Sequence, residues 1–225
     1  MKITWRSELA SWLVLAWMFI LAAITWRSAP DRIPVHWNLH MQVDRFGGKF
    51  EGLLAIPLTA LGLYLLFLFL PRFDPGKANY AAFWGAFTVL RTVVVAFLGA
   101  IYGIIHLWIR GIHVDMNAAV PLLMGALFVV VGNLLGKLRP NWFVGIRTPW
   151  TLSSKASWVR THQAGGWVLV AGGVAFMAAG LIRQPWAMVF AFVVMGAGML
   201  ALIVYSYLVW REDPDKVPPA GTSPA

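Results

Sequence analysis

Six continuously apolar runs divide this chain, over residues 9–26, 52–70, 86–108, 118–135, 165–182 and 186–210. Each is near the roughly 20 residues that a helix needs to cross a bilayer. A membrane β-barrel would show alternating apolar and polar positions instead. The polar residues fall into short segments between the runs, with no stretch left for a separate soluble domain. The pattern predicts an all-α membrane protein, a polytopic bundle of six transmembrane helices.

Composition agrees. Only 12% of the 225 residues are charged and the mean hydropathy is +0.71, whereas soluble domains carry about 25% charged residues. There is no cysteine, which removes disulfides, thiolate chemistry and Cys-ligated metal. The net charge of +9 does not call for nucleic acid, because the basic residues sit in short loops where membrane topology already expects them. Eleven Lys and Arg fall on one side: two before the first run, two in 71–80, five in 136–164 and two after the last run. Six fall on the other side, four in 27–51 plus Arg110 and Arg183. The positive-inside rule then predicts that both termini and the 136–164 segment are cytoplasmic and that 27–51 faces outward, in a multi-pass protein of the cell (inner) membrane. Lys2 and Arg6 before an apolar run resemble a secretory signal, but the run is long and ends without a small-x-small site, so an uncleaved signal-anchor is expected. Residues 212–225, with four prolines and no periodicity, read as a disordered tail.

Segment 136–164 carries Lys137, Arg139, Arg147, Lys155 and Arg160, no Asp or Glu, and Trp142, Trp150 and Trp158. Pro140 and Pro149 each lack a backbone donor and restrict the preceding residue, so one continuous helix is excluded and a shaped loop is expected. Pro140, Gly145 and Pro149 define its path, and Ser153 or Ser154 is placed to cap a short helix through Thr161. Such a path presents Asn141 and Arg147 in fixed directions. Anionic lipid, worth about 1 kcal/mol per nearby basic residue, would hold the segment at the membrane surface. A plain topological role for its charges and tryptophans stays open on the residues alone.

Segment 27–51 has Pro30 and Pro34 at an extended entry and Gly47-Gly48 at a turn before the second run. His36, His40 and Asp44 recur every four residues, which on a helix would align three metal ligands. Pro34, Asn38 and Gly47 oppose that helix, and a structured recognition loop without a metal is the expectation.

Arg91 is the one charge well inside an apolar run. A helix starting near Ala86 puts it about 8 Å along, at 1.5 Å per residue, from where it would snorkel to the headgroups. That is the expected arrangement; a start near Ala81 would bury it and demand a partner. None of the six runs contains Asp or Glu, which argues against proton- or cation-coupled transport. Gly99-x-x-x-Gly103 and Gly132-x-x-x-Gly136 suggest helix contacts. No nucleophile–base, phosphate-loop or zinc motif is present, so neither an enzyme nor a cofactor is expected.

Gly132-Asn133, Lys137-x-Arg139-Pro140-Asn141, Gly145-Ile146-Arg147-Thr148-Pro149-Trp150-Thr151-Leu152, Trp158, Thr161-His162 and Gly165-Gly166 together resemble the central motif of the SdpI family of bacterial membrane immunity proteins. The 27–51 segment is similar to the domain of unknown function that commonly forms the N-terminal half of such proteins, through Pro34, His36-Trp37-Asn38, Asp44 and Lys49, although Met41 stands where that half typically has Gly. The resemblance implies a two-part chain: a two-helix half over 1–84 and a four-helix half over 85–211. It also implies protection against a secreted toxin peptide and, in signalling members, capture of a cytoplasmic repressor at the membrane. Pro34, His36, Trp37, Asn38, Asp44 and Lys49 would then form a peptide-sensing surface. Asn133, Lys137, Arg139, Pro140, Asn141, Gly145, Arg147, Thr148, Pro149, Trp150, Trp158 and His162 would form a cytoplasmic output surface. The alternative of another class is a small-molecule or lipid transporter that uses the bundle interior.

Overall fold

The computed structural model describes residues 3–38 and 42–217. In chain order these form α1 (Trp5–Thr25), a hairpin of β1 (Ile33–Trp37) and β2 (Val43–Gly47), α2 (Lys49–Phe73), α3 (Tyr80–Ile109), α4 (Met116–Leu135), the short α5 (Pro149–Ser153), α6 (Lys155–Ile182) and α7 (Pro185–Glu212). All helices except α5 are long and apolar enough to cross a membrane, so the six-span bundle stands. Several helices extend beyond their apolar runs because capping residues, not hydrophobicity, set their ends.

The clearest case is α1. Thr4 and Ser7 form a reciprocal capping box, satisfying amides that a helix start otherwise leaves without partners. The helix therefore begins at Trp5 and takes in Glu8. That overturns the expectation of spans free of carboxylates, and with it the expected snorkelling of Arg91. The third helix starts at Tyr80, kinked at Phe83, and carries Arg91 inward to an ion pair with Glu8 in which both side chains are 0% exposed. Glu8 also accepts from Ser7 Oγ and, at 3.1 Å, from the Tyr64 hydroxyl, which itself accepts from Trp12 Nε1 at 2.8 Å. The Tyr64 and Trp84 rings lie 5.7 and 5.8 Å from the Arg91 guanidinium carbon, within cation–π range. One polar cluster thus ties α1, α2 and α3 together.

Proline chemistry supplies a second tie. Pro57 inside α2 cannot donate to the carbonyl four residues earlier, and in a membrane no water replaces that donor. The Tyr102 hydroxyl on α3 donates to this Leu53 carbonyl at 2.8 Å. Around these contacts Met18, Leu53, Ala60 and Tyr102 form a fully buried cluster that also takes in Ile33 of β1.

The other half is organised by glycine. Where helices approach in lipid there is little hydrophobic drive, so small residues that allow backbone contact carry the packing. A Cβ at Gly125 would sit 2.4 Å from the Gly173 carbonyl, and one at Gly132 would sit 2.7 Å from that of Gly166. The seam between α4 and α6 therefore repeats at seven residues, not at the four of Gly132-x-x-x-Gly136; Gly136 meets only Gln163, at 3.6 Å. On α3, Gly99 does receive α1, at Val14. Helix α7 packs on α6 and turns Trp186, Phe190 and Leu200 outward.

The α2–α3 connection, segment 136–154 and residues 213–217 meet at one end of the bundle, here the basic end. The hairpin, the α3–α4 connection and Arg183 share the other, the hairpin end. The tail expected to be disordered from residue 212 is anchored through Val217. Asp213 accepts from Ser154 Oγ, and the Val217 amide donates to the Ser153 carbonyl at 2.9 Å.

Candidate functional site

At the basic end the loop is built around one amide side chain. Asn141 is 2% exposed. Its Nδ2 donates to the carbonyls of Arg139 and Val144 at 2.9 and 3.0 Å. Its Oδ1 accepts from the amides of Phe143 and Val144 at 3.0 and 2.7 Å. This corrects the expectation that Asn141 faces outward: it closes the turn from within. We expect Asn141→Asp, which keeps the acceptors but cannot donate, to open the turn at a cost of about 1–3 kcal/mol per orphaned group. Trypsin cleavage after Arg147 in purified protein should accelerate; an unchanged cleavage rate would remove Asn141 from this role.

Gly145 makes the next bend. Its φ is +116°, and a Cβ there would lie 2.3 Å from His162 Nε2, so both conformation and space require glycine. The following amide, of Ile146, donates to His162 Nε2 at 3.0 Å, while the opposite ring nitrogen faces the Trp158 carbonyl at 2.8 Å. Nε2 is therefore the acceptor and Nδ1 carries the proton. The His162 ring stacks on Trp158 with centroids 4.0 Å apart, and Trp158 Nε1 donates to the Leu138 carbonyl at 3.1 Å. Both residues are fully buried, so the expectation that they belong to an exposed output face is also corrected; they are the floor on which the loop rests.

Thr148 then caps α5 through a reciprocal box with Thr151. Ser154 caps α6, accepting from the Ser157 amide at 2.9 Å, and that helix runs on to Ile182 instead of ending near Thr161. Thr148 is buried and shares a 3.0 Å hydrogen bond with Ser206 of α7.

Two carboxylates from outside the segment meet it. Asp74, in the α2–α3 connection and 2% exposed, accepts from the Trp142 amide at 3.2 Å, from the Tyr80 hydroxyl at 2.8 Å and from the Gly76 amide at 2.6 Å. Burial, reinforced by this carboxylate, pushes the Tyr80 phenol well above its usual range and keeps it a donor. Asp213 is the second. The Ser154 hydroxyl bond, and then the Asp215 amide, hold it below the usual carboxylate range. Asn79 Nδ2 adds a 2.7 Å bond to the Pro140 carbonyl. Asp74, Asn79, Tyr80, Ser157, Ser206 and Asp213 escape a reading of the segment alone. Of these, Asp74 had a local signal, the Asp-Pro-Gly turn, while the others depend on tertiary contact.

What remains outside is the charged set. Lys137, Arg139, Arg147 and Pro149 are exposed, as is Asn133, whose amide bonds back to its own helix at Val129. Arg147 Nη1 donates to the Trp142 carbonyl at 2.7 Å, which fixes the direction of its guanidinium. Trp150 is half-buried against Tyr207, with centroids 5.3 Å apart. Arg139, Trp142, Leu152, Lys155 and Val217 border an open groove of about 1060 Å³.

The hairpin end replaces the helix that the four-residue spacing of His36, His40 and Asp44 would have needed. His36 and Asp44 face each other across antiparallel strands, Nδ1 to Oδ1 at 2.6 Å. His40 and Met41 lie outside the described residues. Among the described residues no group of three His, Cys, Asp or Glu is arranged to hold a metal ion. Asn38 Oδ1 accepts from the Gln42 amide at 3.1 Å. Pro34 is buried, Lys49 pairs with Asp31 at 3.6 Å, and Trp37 is half-buried.

Known proteins match both ends. The SdpI/YfhL protein family matches residues 137–206, and the Domain of unknown function (DUF1648) matches residues 13–61. The chain is 24% identical over 168 residues to the Immunity protein SdpI of Bacillus subtilis (strain 168), which covers 75% of this chain and 78% of that protein. No solved structure matches. Segment 137–206 contains the loop, its buried floor of Trp158 and His162, and the α6–α7 pair. Over that segment this multi-pass membrane protein is similar to the SdpI/YfhL family.

Proposed function

We propose that the chain is a membrane immunity protein that senses a secreted toxic peptide at the hairpin end and reports it at the basic end, where a cytoplasmic repressor would dock. The observation that carries this reading is the similarity to an immunity protein across both halves of the chain. The architecture supports it: one rigid turn bears uncompensated outward-facing bases, and a separate ordered hairpin lies at the opposite end. In this reading the protein lies in the cell (inner) membrane with both termini in the cytoplasm, binds no nucleic acid itself and catalyses no reaction. Its two functional units are 1–84 and 85–211.

The test is expression in a toxin-sensitive host. Wild-type protein should confer resistance, and Arg147→Ala should abolish it while accumulating normally, since the residue is exposed and spends one bond on its own loop. His36→Ala and Asp44→Ala should each remove resistance by freeing the hairpin's cross-strand pair. An Arg147→Ala chain that fails to accumulate would make the loop a packing element instead. A cysteine at position 147, in a chain with none of its own, should label only after cells are opened; labelling on intact cells would invert the orientation.

One observation favours the transporter reading. The buried Glu8–Arg91 pair is an intramembrane charge of the sort that often marks a transport pathway. Solute or lipid flux through purified protein in liposomes, with no protection in the host, would establish that alternative.

A further inference from the structure

At the hairpin end a cavity of about 240 Å³ opens where the two halves of the chain meet. Trp37 at the close of β1 forms one wall. Ile104 and Trp108, from the last turns of α3, form a second, and Met116, Asp115 and Asn117 at the start of α4 complete it. Its volume corresponds to about eight waters at roughly 30 Å³ each. Two indoles, Ile104, Val114 and the Met116 thioether give the cavity its apolar wall, and waters against that wall would have few polar partners. An apolar group gains by displacing water of that kind.

The polar groups, His113, Asp115 and Asn117, all come from the α3–α4 connection and the start of α4, and the His113 ring lies against Trp108 with centroids 5.7 Å apart. Asp115 caps α4 by accepting from the Asn117 amide at 3.0 Å, and its other oxygen faces Arg183 at 3.5 Å. A carboxylate has about four acceptor sites, so it retains room for a further donor. A second full cation is disfavoured, because Arg183 already neutralises Asp115. Bulky, mostly apolar, with one neutral donor at its tip: this describes a Trp or Tyr side chain, whose body is apolar and whose N–H or O–H needs a partner.

We propose that this cavity receives a single aromatic side chain, Trp or Tyr, of a peptide ligand, with its N–H or O–H directed to Asp115. The proposal rests on the peptide-sensing reading and names the group by which such a peptide would anchor. It also gives the anchor a consequence. The cavity's third wall is the first turn of α4, and α4 lies backbone to backbone against α6 along the Gly125–Gly173 and Gly132–Gly166 contacts. A side chain wedged against Met116 bears on that seam, and α6 begins at the basic loop, 28 residues from its other end.

The chain's lack of cysteine permits a direct test. Met116→Cys protein in proteoliposomes is labelled with a maleimide in the presence of N-acetyl-tryptophanamide, N-acetyl-leucinamide or N-acetyl-lysinamide. With the tryptophan probe at about ten times its Kd, labelling should slow about tenfold, since only empty sites react. The leucine probe should protect less at equal concentration, and adding Asp115→Asn should lessen the tryptophan advantage. Equal protection by all three probes, none by any, or strongest protection by the lysine probe would overturn the proposal. In the host, Met116→Trp, which fills the cavity, should abolish resistance at normal protein levels. The labelling result stands whether or not wild-type protein confers immunity, so failure of the cavity assignment and failure of the immunity reading are separately visible.

Discussion

Glu8→Gln should destabilise the protein by about 3–5 kcal/mol, the usual cost of leaving one member of a buried ion pair without its partner. The substitution keeps the size of the side chain but replaces one of its two acceptor oxygens by a donor NH2, so Arg91 and Tyr64 can no longer both donate to it. Arg91, 0% exposed, would then face only the neutral amide and the rings of Tyr64 and Trp84. Cation–π contacts of about 0.5–2 kcal/mol do not offset a buried charge on that scale. Thermal unfolding in detergent at fixed pH reads the effect, and the charge-exchanged double variant Glu8→Arg/Arg91→Glu should recover part of the loss. Wild-type stability for Glu8→Gln would mean that the pair does not hold α1 onto α3.

The second large effect belongs to the glycine seam. Gly125→Val and Gly132→Val should each lower accumulation sharply, because the new atoms meet carbonyl oxygens of α6, which have no rotamer to move to. Overpacking of a close interface typically costs 1–3 kcal/mol and sometimes more; here the two helices must separate along their length. Gly196→Val on α7 is the control, since nothing lies within 4 Å of a Cβ there. Membrane levels by immunoblot, with folding checked by size-exclusion in detergent, would separate the two classes. Equal levels for Gly132→Val and Gly196→Val would refute the seam.

The six spans were legible because length and continuous apolarity speak directly to bilayer thickness. Their ends were not, because Thr4 and Ser154 extend helices past the apolar run through side-chain caps. That small error at α1 hid the largest electrostatic feature of the fold: Glu8 lies just before the first apolar run yet within the first turn of the first helix. For the basic loop, Pro140, Gly145 and Pro149 correctly implied a fixed path. The residues that hold the path were misread as its surface. Asn141, Trp158 and His162 are polar or amphipathic, and in sequence a buried hydrogen-bonding group looks the same as an exposed recognition group. What distinguishes them is the set of backbone groups they meet, which only the fold supplies. The glycine seam failed for a different reason: a seven-residue repeat shared between two distant helices is not a motif within either one.

The division of labour in the loop has a bearing on how such a protein changes over generations. Its contour is drawn by Asn141, Gly145, Thr148, His162 and Asp74, none of them positively charged, while among the described residues the side chains of Lys137, Lys155 and Arg160 make no hydrogen bond. Substitution at those three positions, including reversal of sign, would repaint the face and leave the scaffold standing. A lineage can therefore acquire or discard a binding companion through a few surface codons, with no intermediate that fails to fold.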